Sequence, residues 1–414
     1  MPGGQIRVGC KFTRASFPIG VAFPTIVLVR WLSALSEETS FHAAVDELMQ
    51  LLAEQDFAPE AVDLVLVFAS SQHAGHWDSL AREVAFRFPK AKLVGCSAGG
   101  VVAGGLEVEE GPFLGITVAH LPDVRIMPVV LAAGATQLPS SALDNLRGDE
   151  PAHAFLFVDP QISEISPLLA MLDGALPKGV KVGGLAAGAR AGGEIALFLQ
   201  RARVHGAAVG VLLQGAIDID PVVAQGCRPI GDPYIATRTK GTVIQELGGR
   251  KAADVLRDVH DALSEADQRL FRTSLFLGIE ACTQNLVHKG EPMLMRNVIG
   301  FEPNTGTLAV GAAIERHQVV QFQLRDKQAA HDELVRALRS RQDRGTPRGA
   351  VMFSCVGRGL GLFGEPNHDS GLVRSLLGPV AVGGFFCNGE IGPVGQRTYV
   401  HTYTSVIALI SPGR

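Results

Sequence analysis

The stretch LVLVFASSQHAGHWDSLAREVAFRFPKAKLVGCSAGG, residues 64–100, contains an apolar strand, a polar turn, a helix, a Pro-Lys pair and a second strand with a small-residue end. A second stretch, HAFLFVDPQISEISPLLAMLDGALPKGVKVGGLAAGAR, residues 153–190, repeats that order. The strands that follow the two stretches also match. Alternating strands and helices are typical of α/β proteins. The internal similarity therefore predicts repeated strand–helix–strand units.

A third, more divergent copy begins at GAVMFSCVGRG, residues 349–359. Its helix is HDSGLVRSLLG (368–378), and its second strand lies in GPVAVGGFFCNGEIGP (378–393). TYVHTYTSVIALI (398–410) alternates in polarity, which predicts one closing strand. The region between the second and third copies has a different pattern. We predict an α/β protein with mixed sheets, built from these units in two related halves that divide near residue 228.

Three further segments carry clear signals. The apolar spacing in SALSEETSFHAAVDELMQLLAEQ, residues 33–55, predicts a helix with a Ser/Thr start. VVQFQLRDKQAAHDELVRALRS, residues 319–340, predicts a strand and then a helix capped by Asp326. Residues 1–30 are predicted to form a disordered extension. Residues 11–34 resemble a targeting segment, but their apolar centre contains two prolines and is too short to span a bilayer.

Composition excludes several classes of partner. The chain of 414 residues has 37 basic and 41 acidic residues and a net charge of -4. This balance provides no basic face for nucleic acid, and no apolar segment predicts a membrane partner. The six cysteines contain no C-x-x-C pair, which indicates reduced thiols in a cytoplasmic protein.

Gly359, Gly361 and Gly364 fit the pattern G-x-G-x-x-G. The equivalent turns of the other two units have no such glycines. A dinucleotide site also needs an acidic residue at the end of the next strand, and PVAVGG ends without one. We interpret the match as accidental and predict no cofactor.

The cysteines near strand ends are candidates for chemistry. Cys355 lies near the carboxyl end of an apolar strand, where α/β proteins tend to place ligands. A nucleophile would need a histidine, and the sequence cannot place His368 or His401 beside it. A packed thiol is the alternative for Cys355, and equally for Cys96 and Cys387. Because ligand-like spacing is absent, no metal site is predicted.

Charged residues also point to a ligand. Arg358 lies between two glycines, so its guanidinium is expected to face a ligand carboxylate or phosphate, or an internal partner, Glu390 or Asp326. Glu390 is expected to bind a ligand amine or to cap backbone N–H groups. The small-residue ends VGCSAGG (94–100), VGGLAAG (182–188) and VGGFFCNGE (382–390) allow close approach by another backbone or a ligand.

Together these features predict a small-molecule pocket at the strand ends. The candidate pocket residues are Cys96, Ser97, Gly183, Gly184, Ser354, Cys355, Arg358, Gly384, Asn388 and Glu390.

Several segments resemble FIST-domain proteins. FSCVGRGLGLFGEPNHD, PVAVGGFFCNGEIGP with HTYTSV, CRPIGDPYIATRTKGTVIQELGG and VVQFQLRD are similar to the C-terminal FIST half. LVGCSAGGVVAGG and KVGGLAAG are similar to the N-terminal half. The resemblance runs from about Trp31 to Ile410 and implies a FIST N domain at 31–227 and a FIST C domain at 228–414. The positions that match are Ser354, Cys355, Arg358, Gly384, Glu390 and Gly392.

The resemblance implies a sensory module inside the cell that binds a small ligand, such as an amino acid, and acts with a signalling partner. It carries over no catalytic residue. Two other functions stay open on the sequence. One is a cysteine-dependent transferase or hydrolase that uses Cys355 or Cys96 as its nucleophile. The other is a protein-interaction scaffold without a metabolite ligand.

Overall fold

The structure is a computed structural model that describes residues 29–162, 165–188, 195–281 and 293–413. The predicted N-terminal extension lies outside the described residues, except for its last two positions. Three six-stranded sheets with the same internal order form most of the described chain, and a fourth sheet forms an insert. The predicted α/β class with mixed sheets and repeated units is confirmed.

Unit one begins with a strand that the sequence interpretation missed. Its elements are β1 (Arg30–Ser36), α1 (Phe41–Glu54), β2 (Leu64–Ala69), α2 (Trp77–Arg87), β3 (Lys92–Ser97), β4 (Gly100–Ala103), β5 (Leu106–Val108) and β6 (Leu114–His120). Helix α1 forms within the predicted segment and begins at Phe41, because the side chain of Ser40 accepts a hydrogen bond from Ala43 N at 3.4 Å. An apolar stripe that includes Phe41 and Leu48 is buried against the sheet.

Unit two has the same element order. It consists of β7 (Val124–Ala132), α3 (Ser140–Leu143), β8 (Ala152–Val158), α4 (Ile165–Ala175), β9 (Lys181–Leu185), β10 (Leu197–Leu199), β11 (Ala202–Val204) and β12 (Ala207–Gly215). Every residue of β2 and of β8 is buried, because both faces of each sheet are covered. This explains why both strands have continuous apolar runs rather than alternation.

Unit three is interrupted after its first strand, β13 (Ile217–Ala224), by the insert, residues 227–325. The insert contains β14 (Cys227–Pro229), β15 (Tyr234–Lys240), β16 (Val243–Leu247), β17 (Arg250–Lys251), α5 (Ala252–Asp261), α6 (Glu265–Ser274), β18 (Leu275–Glu280), β19 (Met293–Glu302), β20 (Thr307–Val310) and β21 (Val319–Arg325). Strands β21, β15, β16, β20, β19 and β18 pair in a closed circuit, so the insert is a small barrel.

Unit three then resumes. Its remaining elements are α7 (Lys327–Arg339), β22 (Gly349–Cys355), α8 (Gly359–Phe363), α9 (His368–Leu377), β23 (Val382–Cys387), β24 (Glu390–Val394), β25 (Arg397–His401) and β26 (Ser405–Pro412). The predicted cap of α7 is confirmed, since the carboxylate of Asp326 accepts a hydrogen bond from Ala329 N at 2.7 Å. The single closing strand predicted at 398–410 is wrong. The chain turns at Thr402–Thr404, where Tyr403 has a φ of 59°, and β25 and β26 belong to different sheets.

The three sheets exchange their hairpins in a cycle. In each unit a parallel pair, β2–β3, β8–β9 or β22–β23, forms the centre of the sheet. The hairpin that follows the pair leaves for a neighbour: β4–β5 joins the sheet of unit three, β10–β11 that of unit one, and β24–β25 that of unit two. Each unit therefore depends on another for its full sheet, which ties the three units into one body.

One glycine in each unit lies where no side chain fits. A Cβ on Gly95 would lie 1.8 Å from the carbonyl oxygen of Val67 on the neighbouring parallel strand. Gly183 and Gly384 occupy the equivalent positions, and a Cβ on either would lie 1.9 Å from a backbone oxygen. Real Cβ atoms do not approach so closely, so these glycines are required by the pairing of the parallel strands.

The sheets meet in an aromatic core. Phe68, Phe157 and Phe353 occupy equivalent positions on the first strand of each parallel pair and surround Phe385. The Phe385 centroid lies 4.8 Å from that of Phe68 and 5.9 Å from those of Phe157 and Phe353. Aromatic burial of this extent stabilises the centre strongly. The strand ends beyond this core are therefore held in fixed positions.

Candidate ligand-binding site

The small-residue strand ends of the three units contact one another. Each end accepts a backbone hydrogen bond from the next unit in the cycle. The three bonds run from Ala187 N to Ser97 O (3.1 Å), from Asn388 N to Leu185 O (3.1 Å) and from Gly99 N to Phe386 O (3.0 Å). A Cβ on Gly184 would lie 2.8 Å from the side chain of Cys387. Small residues here permit close approach of the three backbones, as their pattern suggested.

The structure brings most of the predicted pocket residues to this junction and buries them. Those with buried side chains are Cys96, Ser97, Ser354, Cys355, Arg358 and Glu390, whereas Asn388 is exposed. Cys355 and Cys387 are direct partners across β22 and β23. The functional role of these residues stays a prediction.

Glu390 is a fully buried carboxyl group with weak hydrogen-bond support. Its Oε2 accepts a hydrogen bond from Thr404 N at 2.9 Å, and its Oε1 accepts one from the Cys387 thiol at 3.5 Å. Burial raises the pKa of Glu390 to about 8, and these hydrogen bonds only partly oppose that effect. Glu390 is therefore mostly protonated at neutral pH and can ionise when a cation approaches.

The thiols beside Glu390 lack the surroundings of a nucleophile. Burial, and then the charge of Glu390, raise the pKa of Cys355 to about 12. Burial raises the pKa values of Cys96 and Cys387 as well. The candidate histidines are engaged elsewhere: His401 Nε2 lies 3.1 Å from Gly392 O, and His368 Nδ1 lies 2.8 Å from Asp369 Oδ1. A reactive thiolate needs a lowered pKa, so this geometry favours packed thiols.

Arg358 has an internal partner, but neither of the two that the sequence suggested. Its Nε donates to Asp369 Oδ2 at 2.6 Å, and both side chains are buried. Asp326 instead accepts hydrogen bonds from Ala329 N and Arg228 Nε. Burial alone would raise the pKa of Asp369, but Arg358 and His368 outweigh it and lower the pKa to about 2.

Around this ion pair the sequence interpretation missed a chain of aromatic and histidine contacts. His368 Nε2 lies 3.0 Å from His331 Nδ1 on α7, and Phe363 stacks on the His368 ring. The Arg358 guanidinium carbon lies 5.4 Å from the Phe363 centroid. In the sequence, Asp369 follows His368 at the start of a predicted helix, where an acidic residue has the ordinary explanation of favouring the helix dipole.

Three polar atoms of the cluster around Arg358 and Glu390 have unused hydrogen-bonding capacity. Among the described residues, Arg358 Nη1, Ser354 Oγ and Arg325 Nε are buried and have no hydrogen-bond partner. Arg358 and Glu390 also interact electrostatically, since each shifts the pKa of the other toward its ionised form. Buried polar groups are nearly always hydrogen-bonded, to protein or to ordered water, so these three atoms can still bond a water molecule or a ligand.

The insert closes over one side of this cluster. Arg325, the last residue of β21, donates a hydrogen bond to Gly357 O, and its guanidinium carbon lies 4.5 Å from the Tyr403 ring centroid. Phe276 of β18 packs edge-on against Tyr403 at 4.8 Å. Val356, with 44% exposure, and Asn388 lie at the outer edge. The insert and unit three therefore jointly enclose the strand ends.

The comparisons with known proteins identify the family. A model of the FIST N domain matches residues 63–250, and a model of the FIST C domain matches residues 252–393. Uncharacterized proteins of Mycobacterium tuberculosis (strain ATCC 25618 / H37Rv) and Mycobacterium bovis are 34% and 32% identical. The first alignment covers 86% of this chain and 93% of the relative, and the second covers 89% and 95%.

A solved structure described as a cyanuric acid hydrolase from A. caulinodans aligns with 93% of this chain and 100% of its own. At 9% identity and a TM-score of 0.32, this likeness shows neither a shared fold nor a shared function.

The chain belongs to the FIST family, as its motifs predicted. FIST domains are described as small-ligand sensory domains of signal transduction. The predicted domain boundary near residue 228 stays a prediction. Within the described ranges, no helix is both long and apolar enough to cross a membrane.

Proposed function

We propose that this protein senses a small polar metabolite that binds at the carboxyl ends of β22 and β23 in unit three. The ligand carries a cationic group that contacts Glu390 and an anionic group that contacts Arg358. An amino acid carries both groups. The bound state is then passed to a signalling partner protein.

The observation that carries this proposal is the unused bonding capacity of a buried, ionisable cluster. Arg358 Nη1 and Ser354 Oγ have no partner among the described residues. Glu390 holds its proton because it is buried, rather than because a partner requires it. Perturbed ionisable groups with unsatisfied neighbours are typical of binding sites. The ligand supplies the missing acceptor and the missing cation.

The other predicted pocket residues have a wall-forming role in this proposal. Five of them hold the three strand ends together: Cys96, Ser97, Gly183, Gly184 and Gly384. Cys355 lines the side of the pocket that faces the ligand. Asn388 is exposed at the edge of the cluster, beside the hydrogen bond that links units two and three. An exposed amide at this place suits the entry of a polar molecule.

Thermal unfolding of the full chain against amino acids, nucleotides and organic acids tests the proposal. A ligand at a hundredfold excess over its dissociation constant stabilises the native state by about 2.7 kcal/mol. For a chain of this length the midpoint should then rise by a few degrees. A selective rise with one class of compound that is lost in Glu390→Gln and kept in Glu60→Gln supports the proposal. No shift with any compound contradicts it.

A further inference from the structure

The insert has a cavity of its own, with a volume of about 610 Å³. Helices α5 and α6, strand β19 and the turn after it form the walls. This volume lies within the range of about 300–1,000 Å³ for small-molecule sites. All of its described lining residues belong to the insert, so it is separate from the cluster around Glu390.

Apolar side chains form the floor and one rim of this cavity. Leu256 is buried in the core of the insert, and Phe271 packs edge-on against His260 with the centroids 5.1 Å apart. Phe301 lines the rim and is 58% exposed. A large aromatic side chain left this exposed beside a cavity favours an apolar occupant.

The polar part of the lining is mainly cationic. It contains Lys251, Arg257 and Arg272, and the carboxylate of Asp254. Asp254 pairs with Arg257 at 3.3 Å. In the part of the chain that the structure describes, neither Lys251 nor Arg272 forms an ion pair. Two exposed cations beside an apolar cavity are complementary to an anionic group on an apolar body.

We propose that this cavity is a second ligand-binding site, which takes a small amphipathic anion. The apolar body lies against Leu256, Phe271 and Phe301. Its carboxylate, sulfonate or phosphate group is bound by Arg272 and Lys251. A second site on the insert gives the protein an input that is separate from the one at Glu390.

Calorimetric titration of the full chain with naphthalene-2-carboxylate tests this site, and naphthalen-2-ylmethylammonium serves as the probe of opposite charge. The carboxylate is expected to bind and the ammonium is not. Arg272→Ala should weaken carboxylate binding by about tenfold, because it removes a charge-assisted hydrogen bond. Thr273→Trp should weaken it at least as much, because Thr273 lines the cavity and the indole fills it.

Arg339→Ala removes an exposed arginine on α7, outside the insert, and should leave the affinity for the carboxylate unchanged. Glu390→Gln should also leave it unchanged, so that failure of this site is distinguished from failure of the proposed sensory site. The thermal midpoint of each variant establishes that it is folded. The proposal is overturned if the ammonium binds as tightly as the carboxylate. It is also overturned if neither probe binds up to millimolar concentration, or if Arg272→Ala and Thr273→Trp leave carboxylate binding intact.

Discussion

Unit three contains two buried carboxyl groups that behave in opposite ways. Asp369 is held by Arg358 at 2.6 Å and by His368 at 2.8 Å, and its pKa is lowered to about 2. Glu390 is equally buried, but its donors are one backbone N–H and the thiols of Cys387 and Cys355, and its pKa is raised to about 8. Burial penalises both charges, and the difference is that Asp369 is hydrogen-bonded to the Arg358 cation, whereas Arg358 acts on Glu390 only through its charge. The negative charge of Asp369 is therefore already balanced by Arg358, whereas Glu390 can still accept a cationic ligand.

The largest expected effect comes from removing the cation of Asp369. Arg358→Ala leaves a buried carboxylate without its partner, which should reduce the free energy of unfolding by about 3–5 kcal/mol. Denaturant unfolding measures it at pH 7. Arg339→Ala, an exposed arginine on the outer face of α7, serves as the control and should change stability by less than about 0.5 kcal/mol. Equal losses in the two variants would mean that the ion pair contributes little.

A smaller effect concerns the dependence of stability on pH. The pKa of Glu390 is raised from 4.5 to about 8 on folding. Its contribution to stability is therefore complete below pH 4.5 and is lost as pH rises toward 8, with a limiting slope of about 1.4 kcal/mol per pH unit. The pKa of Glu107 is raised to about 7, so its contribution to stability is also lost as pH rises. Asp369 has the opposite sign, since its contribution is lost only as pH falls below 3.8 toward 2.

Glu390→Gln should flatten the decline in stability between pH 5 and pH 8 relative to the parent protein. Urea unfolding at several pH values measures this slope. Because Glu107 is present in both proteins, the difference between the two slopes reports Glu390. Parallel slopes for variant and parent would show that Glu390 is ionised at neutral pH.

The smallest expected effect is the slow alkylation of the Cys355 thiol, which lies beside Glu390. Burial, reinforced by Glu390, raises the pKa of Cys355 to about 12, so its thiolate is scarce at pH 7. Iodoacetamide should alkylate Cys355 far more slowly in the native protein than in the urea-unfolded one. Peptide mapping after timed exposure identifies the modified residue. Rapid native alkylation at Cys355 would instead favour the cysteine-dependent enzyme.

Much of the fold could be predicted because the repeats have a clear local pattern. The strand–helix–strand units, helix α1 and the cap at Asp326 all follow from periodicity and capping residues close together in the chain. The cyclic exchange of hairpins could not be predicted, since it depends on pairings such as that of Phe386 with Gly100. For the same reason, the sequence predicts one strand at 398–410 where the structure has two. Alternation in polarity does not reveal that Tyr403 turns the chain toward another sheet.

The sequence predicted which residues lie at the candidate site, but it did not predict which of them pair with one another. Glycines around Arg358 indicated an unusual arginine, and the structure does bury it beside unsatisfied polar atoms. Its partner, Asp369, lies 11 positions away across a turn and a short helix, and no sequence rule selects it over Glu390 or Asp326. The enclosure by Arg325 and Phe276 depends on how the insert packs, which a single sequence does not reveal.

The proposed function depends most on the binding of the ligand's cationic group by Glu390. The most direct test is the dissociation constant of the compound that stabilises the protein, measured by calorimetry at pH 6, 7 and 8. For the parent protein, affinity should rise as pH approaches 8, because binding must displace the proton of Glu390. Glu390→Gln should bind about tenfold more weakly and show no such rise. If Glu390→Gln has the same dissociation constant as the parent protein at each of the three pH values, Glu390 does not bind the cationic group.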